Sequence, residues 1–287
     1  MDFLQQEVHI PTQAGHVLAG NLFTPERPIG QSMVISSATG MLQKFYFAFS
    51  RHFARLGYTV LTFDYWGIGA SGGSVKELRD NTHDLIHWGA NDQAAAVRYL
   101  KEQFPKNPLS LVTHSIGGQI CGFNPEYTQI DRILMVASQG GYWGLFHGYH
   151  KWRMWVFWHA MIPWLSPPFG YFPSNHLGLF ENLPRNMAYQ WMRWGRHPEY
   201  MMGYRNDSYL FERLEMPILL LSFPGDSLAP ENAVQWLGEQ YTRAYTNHIH
   251  YSREGLKPGH FGYFRPSFET TLWKYTHQWV TTGKWMD

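Results

Sequence analysis

The chain has 287 residues, 44% apolar and 17% aromatic but only 16% charged, with a formal net charge of +1. That length suits one large α/β domain with an insertion, and the near-neutral balance without a run of Lys or Arg excludes an electrostatic nucleic-acid binder. The single cysteine, Cys121, excludes an internal disulfide, and no apolar stretch reaches the about 18 residues of a membrane span.

The segment nearest to a span, Trp152 to Leu165, is short and interrupted by Arg153, His159 and Pro163. The start, MDFLQQEVHIPTQAG, has no basic residues ahead of an apolar run, so no secretory signal is expected. With one cysteine, this makes the cytoplasm the expected location.

In chain order, EVHIPT and HVLAGNLFT read as two strands joined by a turn at Gln13 to Gly15, and Pro25 to Gly30 as a loop. SMVISSA is a buried strand by its apolar run. Phe45, Phe49, Phe53 and Leu56, spaced 4, 4 and 3, form a helical stripe over 42–56, and Gly57 suits its C-terminal cap. YTVLTFD is a strand, and DYWGIGASGG a glycine-rich loop.

Residues 81–104 read as a helix, LSLVTH as a strand, and 115–121 as the start of a helix. RILMVAS and PILLLSF are strands, 231–240 a helix, HIHYS the last strand and 268–280 the last helix. Alternating strands and helices predict an α/β fold with a mostly parallel central sheet covered on both faces.

The alternation stops between Gly140 and Leu214, a stretch holding seven of the thirteen tryptophans. It reads as a Trp-rich helical lid or cap over 140–214, inserted into a core formed by 1–139 and 215–287. Trp143, Trp155 and Trp158 are expected to line an apolar substrate pocket beneath it.

The sharpest local signal is LSLVTHSIGG at 109–118. A strand that turns tightly into a helix lifts a serine above the sheet and leaves no room for side chains two residues away. Gly117 meets that need on one side of Ser115, while Thr113 stands where glycine is usual. A serine hydroxyl needs a base to take its proton, and in this arrangement the chain order is Ser, then Asp or Glu, then His. Asp226 follows the strand PILLLSF in SFPGDSLAP, and His260 follows the last strand in KPGHFGYF. Ser115 is therefore read as nucleophile, His260 as base and Asp226 as the acid that orients it. The oxyanion of a tetrahedral intermediate needs backbone N–H donors already in place. Ile116, directly after the nucleophile, supplies one. Met41, with Thr39 next, is favoured for the second.

These segments together, SSATG, FYFAFSRHFARLGYTVLTFDYWGIGASGG, THSIGG, PGDSLAP and PGHFGYF, resemble the α/β-hydrolase superfamily. The likeness is to the serine aminopeptidase S33 and monoacylglycerol-lipase-like group, in a branch of predicted hydrolases without assigned substrates. The resemblance spans most of the chain outside 140–214. It implies hydrolysis of an ester, thioester or amide through an acyl-enzyme, with a small-molecule acyl substrate and neither metal nor organic cofactor. It departs from the pattern at Thr113 and in lacking a His-Gly pair before Ala38-Thr39-Gly40. Relatives that act as haloalkane dehalogenases or epoxide hydrolases place aspartate where this chain has Ser115.

Other readings are an acyltransferase on the same three residues, a non-catalytic ligand-binding protein on a hydrolase scaffold, and a lipase whose segment 152–165 touches lipid. Asp64 is read as a loop anchor. His83 and His87, four apart, and His248 and His250 are read as solvated faces rather than metal ligands, because no HExxH pattern accompanies them. The glycine-rich loop lacks the lysine of a phosphate-binding loop.

Overall fold

The computed structural model describes residues 2–253 and 255–285. Its centre is an eight-stranded sheet in the order β1-β2-β4-β3-β5-β6-β9-β10. β1 (Phe3–Pro11) and β2 (Val17–Pro25) form an antiparallel hairpin, and β2 also runs antiparallel to β4 (Tyr58–Phe63). From β4 onward every pairing is parallel, through β3 (Gln31–Ser36), β5 (Leu109–His114), β6 (Arg132–Val136), β9 (Ile218–Ser222) and β10 (Thr246–His250). Every residue of β4, β5 and β9 is buried. That explains why these strands read as continuous apolar runs: a parallel strand is covered on both faces.

The helix α1 (Phe47–Arg55) buries Phe49 and Phe53, and Gly57 follows it with φ +96°, its N–H returned to Ala54. Two short elements depart from expectation. The glycine-rich loop is followed directly by a helix, α2 (Val75–Asp80), started by a capping box in which the Ser74 side chain accepts from the Glu77 N–H. The helix expected over 81–104 begins instead at Asp84, whose side chain caps α3 (Leu85–His87). A π-helical turn, Trp88–Gln93, leads on into α4 (Ala94–Gln103). The last strand lies at Thr246–His250, slightly earlier than HIHYS, because its register on β9 pairs Thr246 with Ile218.

After β5 comes the single turn α5 (Ile116–Gln119). Between β6 and β9 the chain forms α6 (Gly148–Val156), a π turn (Phe157–Met161) and α7 (Ile162–Phe169). A two-stranded hairpin, β7 (Tyr171–Phe172) with β8 (Leu183–Pro184), leads to α8 (Arg185–Arg196). Trp158 and Trp194 are fully enclosed in this region, with Gly195 leaving room for the Trp158 ring. α9 (Glu231–Glu239) covers β9 and β10, and α10 (Lys274–Thr282) reaches Tyr58 of β4 through Thr281. No helix among the described residues is long and apolar enough to cross a membrane.

Candidate active site

β5 ends at His114, and the chain turns at once into α5. Ser115 sits on that turn with φ 52° and ψ −114°, a backbone conformation that costs an L-residue about 1–3 kcal/mol. The surroundings hold it there: the Ser115 N–H donates to the Val136 carbonyl at 3.0 Å, and the Gly118 N–H donates to the Ser115 carbonyl at 3.1 Å. A Cβ on Gly117 would lie 2.5 Å from the Ser36 carbonyl oxygen, so only glycine allows α5 to pack this closely on β3.

Thr113 is accommodated by Gly118. A Cβ on Gly118 would meet Ser138 Oγ at 2.3 Å and Thr113 Oγ1 at 2.9 Å. Gly118 thus opens the space that a glycine at 113 would otherwise leave. Thr113 Oγ1 then donates to the Leu134 carbonyl at 3.3 Å, so its buried hydroxyl is satisfied.

Asp226 lies on the loop after β9 and His260 on the loop before α10. The Nδ1–H of His260 donates to Asp226 Oδ2 at 3.0 Å. The other oxygen, Oδ1, accepts the backbone N–H groups of Leu228 and Ala229, both at 2.9 Å. Burial works against the Asp226 carboxylate. The neighbouring His260 and these hydrogen bonds outweigh it and hold the carboxyl below its usual range. Ser115 and His260 line one cavity of about 510 Å³. Among the described residues no hydrogen bond is made by Ser115 Oγ.

A network absent from the sequence reading ties these pieces together. The Ala38 N–H donates to Tyr46 Oη at 2.8 Å. Tyr46 Oη is 2.9 Å from His114 Nδ1, and His114 Nε2 is 2.9 Å from the His260 carbonyl oxygen. A carbonyl only accepts, so His114 carries its proton on Nε2 and accepts a hydrogen bond from the Tyr46 hydroxyl at Nδ1. Burial, reinforced by His260, lowers the His114 pKa to about 3, so the ring is neutral. The loop after β3, the strand before Ser115 and the loop of His260 thus share one buried chain of hydrogen bonds. A histidine at the end of an otherwise apolar strand was the sequence signal for His114. Tyr46, set inside a phenylalanine stripe, gave none.

Tyr46→Phe should therefore lower kcat by about 10-fold to 10²-fold with little change in KM. It should also cost about 1–3 kcal/mol of stability through the unpaired Ala38 N–H and His114 Nδ1. Steady-state kinetics with urea unfolding checks both parts, and a KM effect without a kcat effect would contradict the assigned role.

The structure corrects the choice of Met41. Its N–H donates to the Ala38 carbonyl at 3.1 Å and closes the turn after β3, so it is not free to meet an oxyanion. Thr39 does line the cavity with Ser115. Gly40, with φ +62°, has a structural reason: a Cβ there would meet Phe180 at 2.7 Å and the Glu181 backbone at 3.0 Å. Asp64 anchors this loop, accepting the Gln43 N–H at 2.7 Å and the Ala70 N–H at 3.2 Å.

The expected tryptophan pocket is also corrected. Trp143, Trp155 and Trp158 are absent from the cavity wall, which is formed by Met154, Phe157, Met161, Leu179, Phe180 and Trp191, with Arg153 and Gln139 adding polar groups. Met154, Phe157 and Met161 share one face of the helical run, following the i, i+3, i+7 pattern. Trp155 is turned outward, 37% exposed and stacked on His159. Trp158 is packed in the core, donating to the Gly141 carbonyl at 3.0 Å. Trp143 is only partly buried, under Lys151.

The alpha/beta hydrolase family matches the chain over residues 39–269. No curated protein matches it. Among solved structures, DcsB in complex with a substrate analogue is similar with a TM-score of 0.67 at 14% identity, covering 97% of this chain and 99% of its own. An esterase from Pyrococcus furiosus gives 0.60 at 16%, covering 99% and 92%. A thermostable carboxyl esterase from Bacillus coagulans gives 0.63 at 13%, covering 96% and 98%. At such identities the likeness is one of fold. A family match over most of the length, on a mostly parallel eight-stranded sheet, makes this chain a member of the alpha/beta hydrolase family.

Proposed function

We propose that the chain is a serine hydrolase that cleaves a carboxylic ester, or a thioester or amide, of a small to medium apolar substrate through an acyl-enzyme. The observation that carries this reading is the opening of a strained Ser115 and an Asp226-paired His260 into one largely apolar cavity. His260 Nε2 takes the Ser115 proton as the oxygen attacks the carbonyl. The N–H groups of Ile116 and Thr39 receive the oxyanion. Asp226 holds the proton on Nδ1 and stabilises the imidazolium. The leaving group departs with the proton from Nε2, and water, deprotonated by the same nitrogen, releases the acid. Every step uses side chains and backbone groups of the chain itself.

Substrate choice follows from the wall. A cavity of about 510 Å³ falls within the usual range of about 300–1,000 Å³ for small-molecule sites. Its methionine and aromatic lining favours an apolar acyl group, and Arg153, held by Ser227, marks a polar end. The segment over 140–214 supplies much of this wall and is proposed to act as the lid. The likeness to the S33 and monoacylglycerol-lipase-like group rests on the same motifs.

A panel of esters graded by acyl length, run with fluorophosphonate labelling, tests the reading. Saturable hydrolysis peaking at intermediate length, with a single labelled site, is expected. Absence of both hydrolysis and labelling across the panel would leave a ligand-binding protein. Preferential formation of new esters in the presence of added alcohol would reassign the chain as an acyltransferase.

A further inference from the structure

We propose that His16, His87 and Asp92 form a divalent-cation site matched to Zn²⁺, outside the Ser115 cavity. His16 lies just ahead of β2, His87 closes α3, and Asp92 sits in the π turn before α4. None of the three lines the cavity of Ser115 and His260.

The donor atoms are gathered closely. His16 Nε2 is 2.9 Å and His87 Nε2 is 3.6 Å from Asp92 Oδ1, and the three atoms all lie within 4.8 Å of one another. Zn²⁺ bonds of about 2.0–2.2 Å at tetrahedral angles put ligand atoms roughly 3.3–3.6 Å apart. Small side-chain adjustments would bring this set into range.

The π turn makes the cluster possible. In an α-helix residues five apart lie about 140° away from each other around the axis. With i→i+5 hydrogen bonding the same interval comes close to one full turn, so His87 and Asp92 share a face. His16 then reaches in from the β1–β2 turn, its ring stacked on Trp66 with centroids 4.5 Å apart.

A second observation points to a ligand. His87 is 92% buried, its residue exposure being 8%, yet its Nε2 has no hydrogen-bond partner among the described residues. Asp92 Oδ1, at 3.6 Å, is beyond hydrogen-bond reach. Leaving such a nitrogen unpaired is costly, and a cation at the centre of the three atoms satisfies it.

The surroundings suit a metal. Asp92 Oδ2 accepts the Trp66 N–H at 2.8 Å, leaving Oδ1 to face the two imidazoles. His87 Nδ1 is 3.2 Å from the Asn91 amide nitrogen. Turning that amide over presents its oxygen to an Nδ1–H, which fixes the tautomer with a free Nε2 lone pair. On binding, the proton that His16 Nε2 shares with Asp92 moves to Nδ1 or leaves to solvent, and no other bond is made or broken. Two imidazoles and one carboxylate, with water completing the tetrahedron, favour Zn²⁺ over the hard, oxygen-seeking Ca²⁺ and Mg²⁺. His83, four residues before His87, is not in the set; its ring stacks on His87 with centroids 3.8 Å apart.

The test uses the full chain stripped of metal and titrated calorimetrically with zinc chloride, with thermal unfolding followed in zinc and in EDTA. One Zn²⁺ per chain, a higher Tm in zinc, and a tetrahedral visible spectrum with Co²⁺ are expected. His16→Gln and His87→Gln should each weaken binding more than tenfold and remove the Tm shift. Circular dichroism without metal verifies that each variant is folded, and His16, beside a hairpin turn, is the substitution with less effect on packing. The double variant His147→Ala/His150→Ala, at exposed positions, should bind as the parent does. No saturable binding by the parent chain, or binding undiminished in both glutamine variants, would overturn the site.

Discussion

Replacing Ser115 with alanine is expected to lower kcat for the preferred ester by about 10⁶-fold and to abolish fluorophosphonate labelling, while KM changes little. The turn at φ 52° and ψ −114° places Ser115 at the cavity, and in the proposed mechanism its hydroxyl forms the acyl-enzyme. Alanine faces the same backbone strain as serine, and among the described residues no hydrogen bond is made by Ser115 Oγ. The variant should therefore fold with an unfolding midpoint close to the parent's. Residual turnover would come from the Ile116 and Thr39 N–H groups and from substrate binding alone. Labelling that persists in Ser115→Ala, or turnover within tenfold of the parent, would remove Ser115 from the mechanism.

Asp226→Asn should cost about 10⁴-fold in kcat, for a reason the hydrogen bonds make specific. Oδ1 accepts two backbone N–H groups, from Leu228 and Ala229. An asparagine must keep its oxygen there, since its NH₂ cannot accept. The NH₂ is then left facing His260, where it donates to Nδ1 and forces the ring proton onto Nε2. A base that already carries its proton on the nitrogen facing Ser115 cannot take another. The side chains are nearly the same size, so the change isolates the tautomer from packing. Single-turnover kinetics with labelling rates would show slow acylation. A loss confined to KM would reject the role.

The same carboxylate has a signature in stability. Its pKa in the folded chain is lower than in the unfolded chain. Its contribution is therefore fully present above the unfolded value of about 3.9 and is lost as pH falls through the lower folded value. Asp226→Asn should flatten that part of the acid unfolding curve.

Local chemistry was legible residue by residue. Continuous apolar runs announced the parallel strands because such strands are buried on both faces. The turn at Ser115 was legible because close packing admits only glycine at 117. The Ser74–Glu77 capping box was equally readable and would have predicted α2, but the surrounding glycines masked it. Asp226 and His260 could be placed at strand ends because chain order and strand boundaries are properties of the sequence.

What the sequence determined by itself was this set of periodicities, caps and strand ends, and through them the sheet and the order of the three candidate catalytic residues. The tertiary structure alone decided which face of the run 148–169 meets the cavity, putting Met154, Phe157 and Met161 there instead of the neighbouring tryptophans. It also decided that the Met41 N–H is consumed by the Ala38 carbonyl, that Tyr46 and His114 link two loops to the strand before Ser115, and that His16 joins His87 and Asp92. Each of these depends on contacts between segments far apart in the chain. Side-chain periodicity fixes an element's own faces, while packing between elements fixes what each face meets.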